Sequence, residues 1–151
     1  MAREIVTGAT KPSYDQAKLT KQDEPSIIYN QRGNYIFSRL KNGQIGGALK
    51  NNELHINYAE VPEEFRNKGY GKAMYRALID HAHDMGYKVF SDSTVEMPAV
   101  RVYESLKKEG YDVQKLPGGG QLPPSNDIPE GALFGQNVSQ PVYEIRPKRN
   151  D

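Results

Sequence analysis

A chain of 151 residues, 36% of them hydrophobic, has material for one domain core and not for two. It has no cysteine, which excludes disulfides, thiolate metal sites and a cysteine nucleophile. With 20 basic and 19 acidic residues the formal net charge is +1, so no long-range field draws the chain to nucleic acid or to an anionic membrane. No apolar run approaches membrane-spanning length, and Met1-Ala2-Arg3-Glu4 opens no signal peptide, so a soluble, intracellular (cytoplasmic) protein is expected.

Residues 1–25 are polar and aperiodic, interrupted by Gly8, Pro12 and Pro25, and read as an arm with a short extended piece at Ile5-Val6. Four strand-like runs follow, at 26–30, 34–40, 44–50 and 53–61. Short segments carrying Gly33, Asn42-Gly43 and Asn51-Asn52 separate them. Such turns tolerate positive φ and join antiparallel neighbours, so a meander is predicted. The period then changes: Ala73, Met74, Ala77, Leu78, His81, Ala82 and Met85 form one stripe on a helix from about 71 to 85, ended by Gly86. A short strand is expected over 87–92. A second helix carries Ala99, Val102, Tyr103 and Leu106, with Pro98 in its first turn and Gly110 after its end. Residues 111–115 form a strand, 116–140 a long Gly/Pro-rich loop, 141–146 a last strand and 147–151 a charged tail. The domain is thus expected over 26–146, behind an arm of 1–25.

The strand–helix junction carries the chemistry. The fourth strand runs into Pro62-Glu63-Glu64-Phe65 and then Arg66-Asn67-Lys68-Gly69-Tyr70-Gly71-Lys72, which opens the helix. The first N–H groups of a helix lack internal partners and carry partial positive charge, so they attract an anion. Gly69 and Gly71 permit close approach to the backbone, and Arg66, Lys68 and Lys72 add formal charge. A pyrophosphate suits that junction; a solvated turn with glycine at the joint is the plainer alternative. Neither the Walker loop nor the dinucleotide fingerprint is present.

The segment from Val61 through Met74 resembles the acetyl-CoA signature of the GNAT family of N-acetyltransferases, Gln/Arg-x-x-Gly-x-Gly/Ala after a strand ending in Val. A second stretch, Ala99-Val100-Arg101-Val102-Tyr103-Glu104-Ser105-Leu106 followed by Gly110-Tyr111, is similar to the family's later helix. The resemblance spans residues 53–113 and implies an α/β (α+β) fold with a mixed, mostly antiparallel sheet and two main helices. It implies acetyl-CoA as co-substrate and transfer of the acetyl group to an amine by direct attack; no set of His, Asp and Glu has metal-ligand spacing, so no metal is expected. Val61 would offer its backbone to the pantetheine arm, Asn67, Lys68, Gly69, Tyr70, Gly71 and Lys72 would cradle the pyrophosphate, and Arg66 would shape the loop. Tyr103 matches the tyrosine that protonates the departing thiolate; its plainer reading, on the apolar stripe beside Val102, is a core aromatic.

Amine attack needs a proton acceptor. Many family members carry Glu six residues before the Val matched by Val61, where this chain has His55, and an imidazole titrates near neutrality. Others carry Glu on the following strand, where this chain has Ser91 with Asp92 beside it; Glu60 and Asp92 are lesser candidates. Two departures from the pattern stand out. The two helices usually placed between the first and second strands are missing or reduced, and the usual Asn before the second helix is Glu96. Such reduction resembles small phage-encoded members. An acetyltransferase acting on protein lysine, a protein N-terminus or a small amine is the leading reading. A non-catalytic binding or structural protein that still holds CoA is the alternative.

Overall fold

The computed structural model of the chain describes Glu4 and residues 23–118, 120–121, 131–136 and 140–148. Of the arm over 1–25, only Glu4 and 23–25 are among them; Ile5-Val6 and much of 116–140 lie outside. The chain enters a meander of β1 (Ser26–Tyr29), β2 (Tyr35–Leu40), β3 (Gly43–Lys50) and β4 (Glu53–Glu60). Its turns have the expected chemistry: Lys41, Asn42, Asn51 and Asn52 all adopt φ between 51° and 61°, the paired positive angles of tight hairpins. A 3-10 turn (Glu63–Phe65) leads into α1 (Tyr70–Asp84). After it come β5 (Lys88–Phe90), β6 (Thr94–Val95), α2 (Met97–Lys108), β7 (Asp112–Lys115), β8 (Gly120–Gln121), β9 (Leu133–Phe134) and β10 (Tyr143–Arg146).

Seven strands form one sheet in the order β1-β2-β3-β4-β5-β10-β7, in which only β4 and β5 run parallel. The fold is therefore the expected mixed, mostly antiparallel sheet with two helices. A second sheet, β6-β9-β8, was not expected. It corrects the reading of 116–140 as one long loop: Gly120–Gln121 and Leu133–Phe134 pair with each other, and β9 pairs with Thr94–Val95. Two-residue strands are too short to show a period in sequence.

One irregularity in β3 and β4 positions the site. Gly46 opposes Tyr58 and Gly47 opposes Ile56, so Asn57 is an extra residue on β4, a β-bulge. A Cβ on Gly47 would lie 2.1 Å from the His55 carbonyl oxygen, and one on Gly46 would lie 2.3 Å from the Phe37 ring; only glycine lets the strands approach so closely. Buried positions on β4 slip accordingly, from Leu54 and Ile56 to Ala59 and Val61. Parallel pairing of β4 with β5 ends at His55↔Phe90, just before the bulge, and β4 continues to Glu60 paired with β3 alone among the described residues. A bulged strand bends, so the two central strands part at that point.

Both helices bury one face. On α1 that face is Ala73, Met74, Tyr75, Leu78, Ile79 and Ala82. It is rotated from the predicted stripe: Tyr75 and Ile79 are inside, while Met85 is exposed. On α2 the predicted Ala99, Val102, Tyr103 and Leu106 are all buried. Each large apolar side chain removed from water contributes roughly 1.5–3 kcal/mol. Both helices stop at glycine with positive φ, Gly86 (80°) and Gly110 (108°), and Tyr87 N–H and Tyr111 N–H bond back to Ala82 and Leu106 carbonyls.

Candidate active site

The turn before α1 has the backbone that an anion site needs. Asn67 and Gly69 lie in the left-handed region at φ 63° and 83°, and helical geometry starts at Tyr70. A left-handed residue followed by a helical one gathers successive N–H groups into a concavity. The first N–H of α1 to reach a carbonyl within the helix is Ala73, on Gly69 O at 3.0 Å. The N–H groups of Tyr70, Gly71 and Lys72 precede it and have no such partner four residues back. A Cβ on Gly69 would meet nothing within 4 Å among the described residues, which leave the space over the turn open.

The cations do not converge there as the sequence suggested. Arg66 Nε donates to Val61 O at 2.9 Å and ties the loop to the end of β4. Lys68 Nζ sits 6.0 Å from the centre of the Phe65 ring. Lys72 is ion-paired to Glu109 and donates to Ser105 Oγ at 3.1 Å, and Arg76 meets the same Glu109 carboxylate at 2.9 Å. Lys72 therefore clamps α1 to α2. An anion at this turn would therefore be held by the backbone, with Arg66 tying the loop to β4.

Farther along α1, at about 7.5 Å of axial rise from Tyr70, lies a buried polar cluster. The Tyr75 and Tyr103 rings meet edge to face at 5.4 Å, and Tyr103 also packs on Tyr143 of β10 at 5.1 Å. Both Tyr75 and Tyr103 are fully buried, and both hydroxyls donate to one carboxylate oxygen, Glu4 Oε2, at 3.0 and 2.5 Å. The other oxygen, Oε1, accepts the Asp92 N–H at 2.6 Å. Residue 4 is placed there by a parallel bridge to Val95 of β6. Burial, partly offset by these hydrogen bonds, pushes the Glu4 carboxyl up to about 8. Burial, and next the charge of Glu4, holds the Tyr103 phenol well above its usual range.

Asp92 lies two residues past Phe90, beyond the point where β4 and β5 part. Its Oδ1 accepts the Ser93 N–H at 2.7 Å, and its buried Oδ2 has no hydrogen-bond partner among the described residues. Burial raises its carboxyl to about 6, against hydrogen bonds from Ser93 and the nearby charge of His55. His55 itself is engaged: Nε2 meets Glu53 Oε1 at 3.0 Å and the ring stacks on Phe90 at 5.0 Å. Glu60 is exposed and accepts the Tyr58 hydroxyl at 2.5 Å. Glu96 precedes α2, buried, its carbonyl receiving the Ala99 and Val100 N–H groups. Among the described residues, no group of three or more His, Asp or Glu could hold a metal, and no helix is long and apolar enough to cross a membrane.

The structure thus brings Tyr103 and Asp92 together and leaves His55 in contacts of its own. Glu4 and Tyr75 were not anticipated. Tyr75 was within reach, since extending the helical stripe by one position includes it. Glu4 carried no signal at all.

Comparison with known proteins bears on the family alone. The family model described as the acetyltransferase (GNAT) family matches residues 5–107. Human N-acetyltransferase 8B is 33% identical over 67 residues, 42% of this chain and 30% of the human protein, so the match spans under a third of that relative. Among solved structures, an acetyltransferase from Bacillus cereus ATCC 14579 aligns with 85% of this chain and 79% of its own at 22% identity and a TM-score of 0.43. A protein from Agrobacterium tumefaciens assigned as an acetyltransferase aligns with 89% and 77% at 18% identity and a TM-score of 0.46. Likeness at that level says nothing about the cleft. The family match covers most of the chain and includes both the strand–turn–helix at 53–84 and the helix bearing Tyr103: the chain belongs to the GNAT acetyltransferase family.

Proposed function

We propose that this protein is an acetyl-CoA-dependent N-acetyltransferase whose domain spans 26–146, joined by Glu4 from the segment before it. One observation carries the reading. Tyr103, the matched proton donor, and Asp92, a carboxylate with a buried oxygen that has no hydrogen-bond partner among the described residues, are joined through one carboxyl beside the point where β4 leaves β5. The N–H groups of residues 67–72 would hold the pyrophosphate. The edge of β4 beyond His55, up to Val61, would pair with the amides of the pantetheine arm.

In the transfer, Asp92 takes the proton that the attacking nitrogen loses. A carboxyl near 6 is ionised at neutral pH and still basic enough for that role. The nitrogen bonds to the thioester carbonyl carbon, the carbon–sulfur bond breaks, and Tyr103 gives its proton to sulfur. We place Asp92 ahead of His55 as the base because the His55 ring is committed to Glu53 and Phe90. The acceptor is an amine of a protein lysine, a protein N-terminus or a small molecule.

The purified protein is incubated with acetyl-CoA, a panel of amines and cell lysate; thiol release is followed and new acetyl groups are located by mass spectrometry. Acetylated amine above the uncatalysed background supports the reading. CoA binding without acetyl transfer to any acceptor replaces it with the non-catalytic one.

A further inference from the structure

The least expected feature of the site is a glutamate from outside both recognised motifs, buried against the one phenol that the acetyl-transfer reading needs. Tyr103 has a single proton to give. With Glu4 ionised, that proton points at Glu4 Oε2 across 2.5 Å and is turned away from any leaving group. Tyr75 donates to the same oxygen, and Oε1 is taken by the Asp92 N–H, so the carboxylate already accepts three hydrogen bonds.

A proton on Oε2 changes the sense of the shortest contact. The carboxyl then donates to Tyr103 Oη, and the phenol hydrogen is released to turn toward the cleft. We propose that Glu4 is a positioning residue of the acetyl-transfer site, which in its protonated form aims the Tyr103 proton at the departing sulfur. This rests on the acetyltransferase reading above.

The surroundings favour the protonated form. Facing Glu4 are Tyr75 from α1, Tyr103 from α2, and Asp92 with its backbone N–H from the segment after β5. Tyr143 of β10 lies behind Tyr103, and His55 of β4 and Glu104 of α2 act at one remove, on Asp92 and Tyr143. The nearest charge is that of Asp92, which is negative and adds to burial in keeping the carboxyl neutral. Neutral Glu4 also helps in a second way, because its charge is one of the causes that raise the Tyr103 phenol. Without that charge the phenol is a stronger acid toward sulfur. The protons balance: Asp92 takes one from nitrogen, sulfur takes one from Tyr103, and exchange with water then empties Asp92 and refills the phenol. Glu4 keeps its own proton throughout.

The test is the pH profile of kcat for acetyl transfer to an accepted amine, in the full-length chain, with folding checked by circular dichroism at each pH. Glu4 loses its proton as pH rises through about 8, so wild-type kcat should fall about tenfold for each pH unit above that value. In Glu4→Gln the amide N–H donates to Tyr103 Oη and does not titrate. Its kcat should be several-fold lower at pH 7 and should show no fall between pH 7.5 and 9.5. Glu4→Leu, which fills the space and donates nothing, should lose kcat about 100-fold with the KM for acetyl-CoA unchanged. An alkaline fall retained in Glu4→Gln, or wild-type kcat in Glu4→Leu, overturns the proposal and leaves the acetyltransferase reading intact. A wild type that acetylates nothing overturns both. Should Glu4→Leu fail to fold, the Glu4→Gln profile decides alone.

Discussion

Replacing Glu4 with glutamine tests the burial of that carboxyl while keeping its shape. The group is fully buried, and burial holds it up to about 8 in the folded chain, against about 4.3 for a glutamate exposed by unfolding. Between those values the native state keeps a proton that the unfolded state has released, so stability falls as pH rises, by about 1.4 kcal/mol per pH unit. Below about 4.3 both states are protonated and above about 8 both are ionised, so the contribution is flat at either end. The full span is on the order of 5 kcal/mol, comparable with the whole stability of a small domain.

Glutamine does not titrate, so Glu4→Gln lacks this slope. Asp92, raised to about 6, gives a slope of the same sign in the more acidic part of the range. It is present in both proteins and cancels in their difference. Urea unfolding at half-unit steps from pH 4.5 to 9, with m held common, reads that difference directly. The variant should gain several kcal/mol on the wild type between pH 5 and 8 and then hold a constant lead. Parallel curves across the range would falsify the placement of Glu4 as a buried carboxyl that keeps its proton at neutral pH.

Three further outcomes follow from the site. Gly69→Val forces a branched residue to φ 83°, at a strain of about 1–2 kcal/mol; calorimetry should show acetyl-CoA affinity lost while helix content is kept, and undiminished binding would move the pyrophosphate elsewhere. Tyr103→Phe should lower kcat about 100-fold or more with acetyl-CoA affinity nearly intact, and unchanged turnover would make Tyr103 a packing residue. With Asp92 as base, kcat/KM should rise with pH through about 6; Asp92→Asn should remove that limb and His55→Ala should keep it, whereas loss of the limb in His55→Ala alone would return the role to His55.

Most of the frame was legible because its causes are local. Lys41-Asn42 and Asn51-Asn52 turn hairpins through their own positive φ, Gly86 and Gly110 end helices at their own positions, and Ala99, Val102, Tyr103 and Leu106 face inward by spacing alone. The bulge was less accessible. It depends on which residue of β3 stands opposite Asn57, a register no single strand encodes, although Gly46-Gly47 in mid-strand marks a close approach in hindsight. The second sheet joins β6 to β9, nearly 40 residues later in the sequence, through pairs too short to announce themselves.

The site divides along the same line. The turn at residues 67–72 shows in sequence because a helix start and its glycines are contiguous. The cluster around Tyr103 is assembled from partners 71, 88 and 99 residues away from Glu4, so no window of sequence contains it. Charge was misread for a related reason. Lys72 looks like a phosphate ligand beside Gly71, but Glu109, set next to it by the packing of α2 on α1, is the nearer anion. Local pattern therefore locates the turn proposed to bind, and tertiary packing decides which side chains meet. Glu4 is the clearest case: its two oxygens touch the Tyr103 hydroxyl and the Asp92 amide at once. A substitution that shifts residue 4 would reach the proposed donor and the proposed base together, while the turn at the start of α1 is left in place.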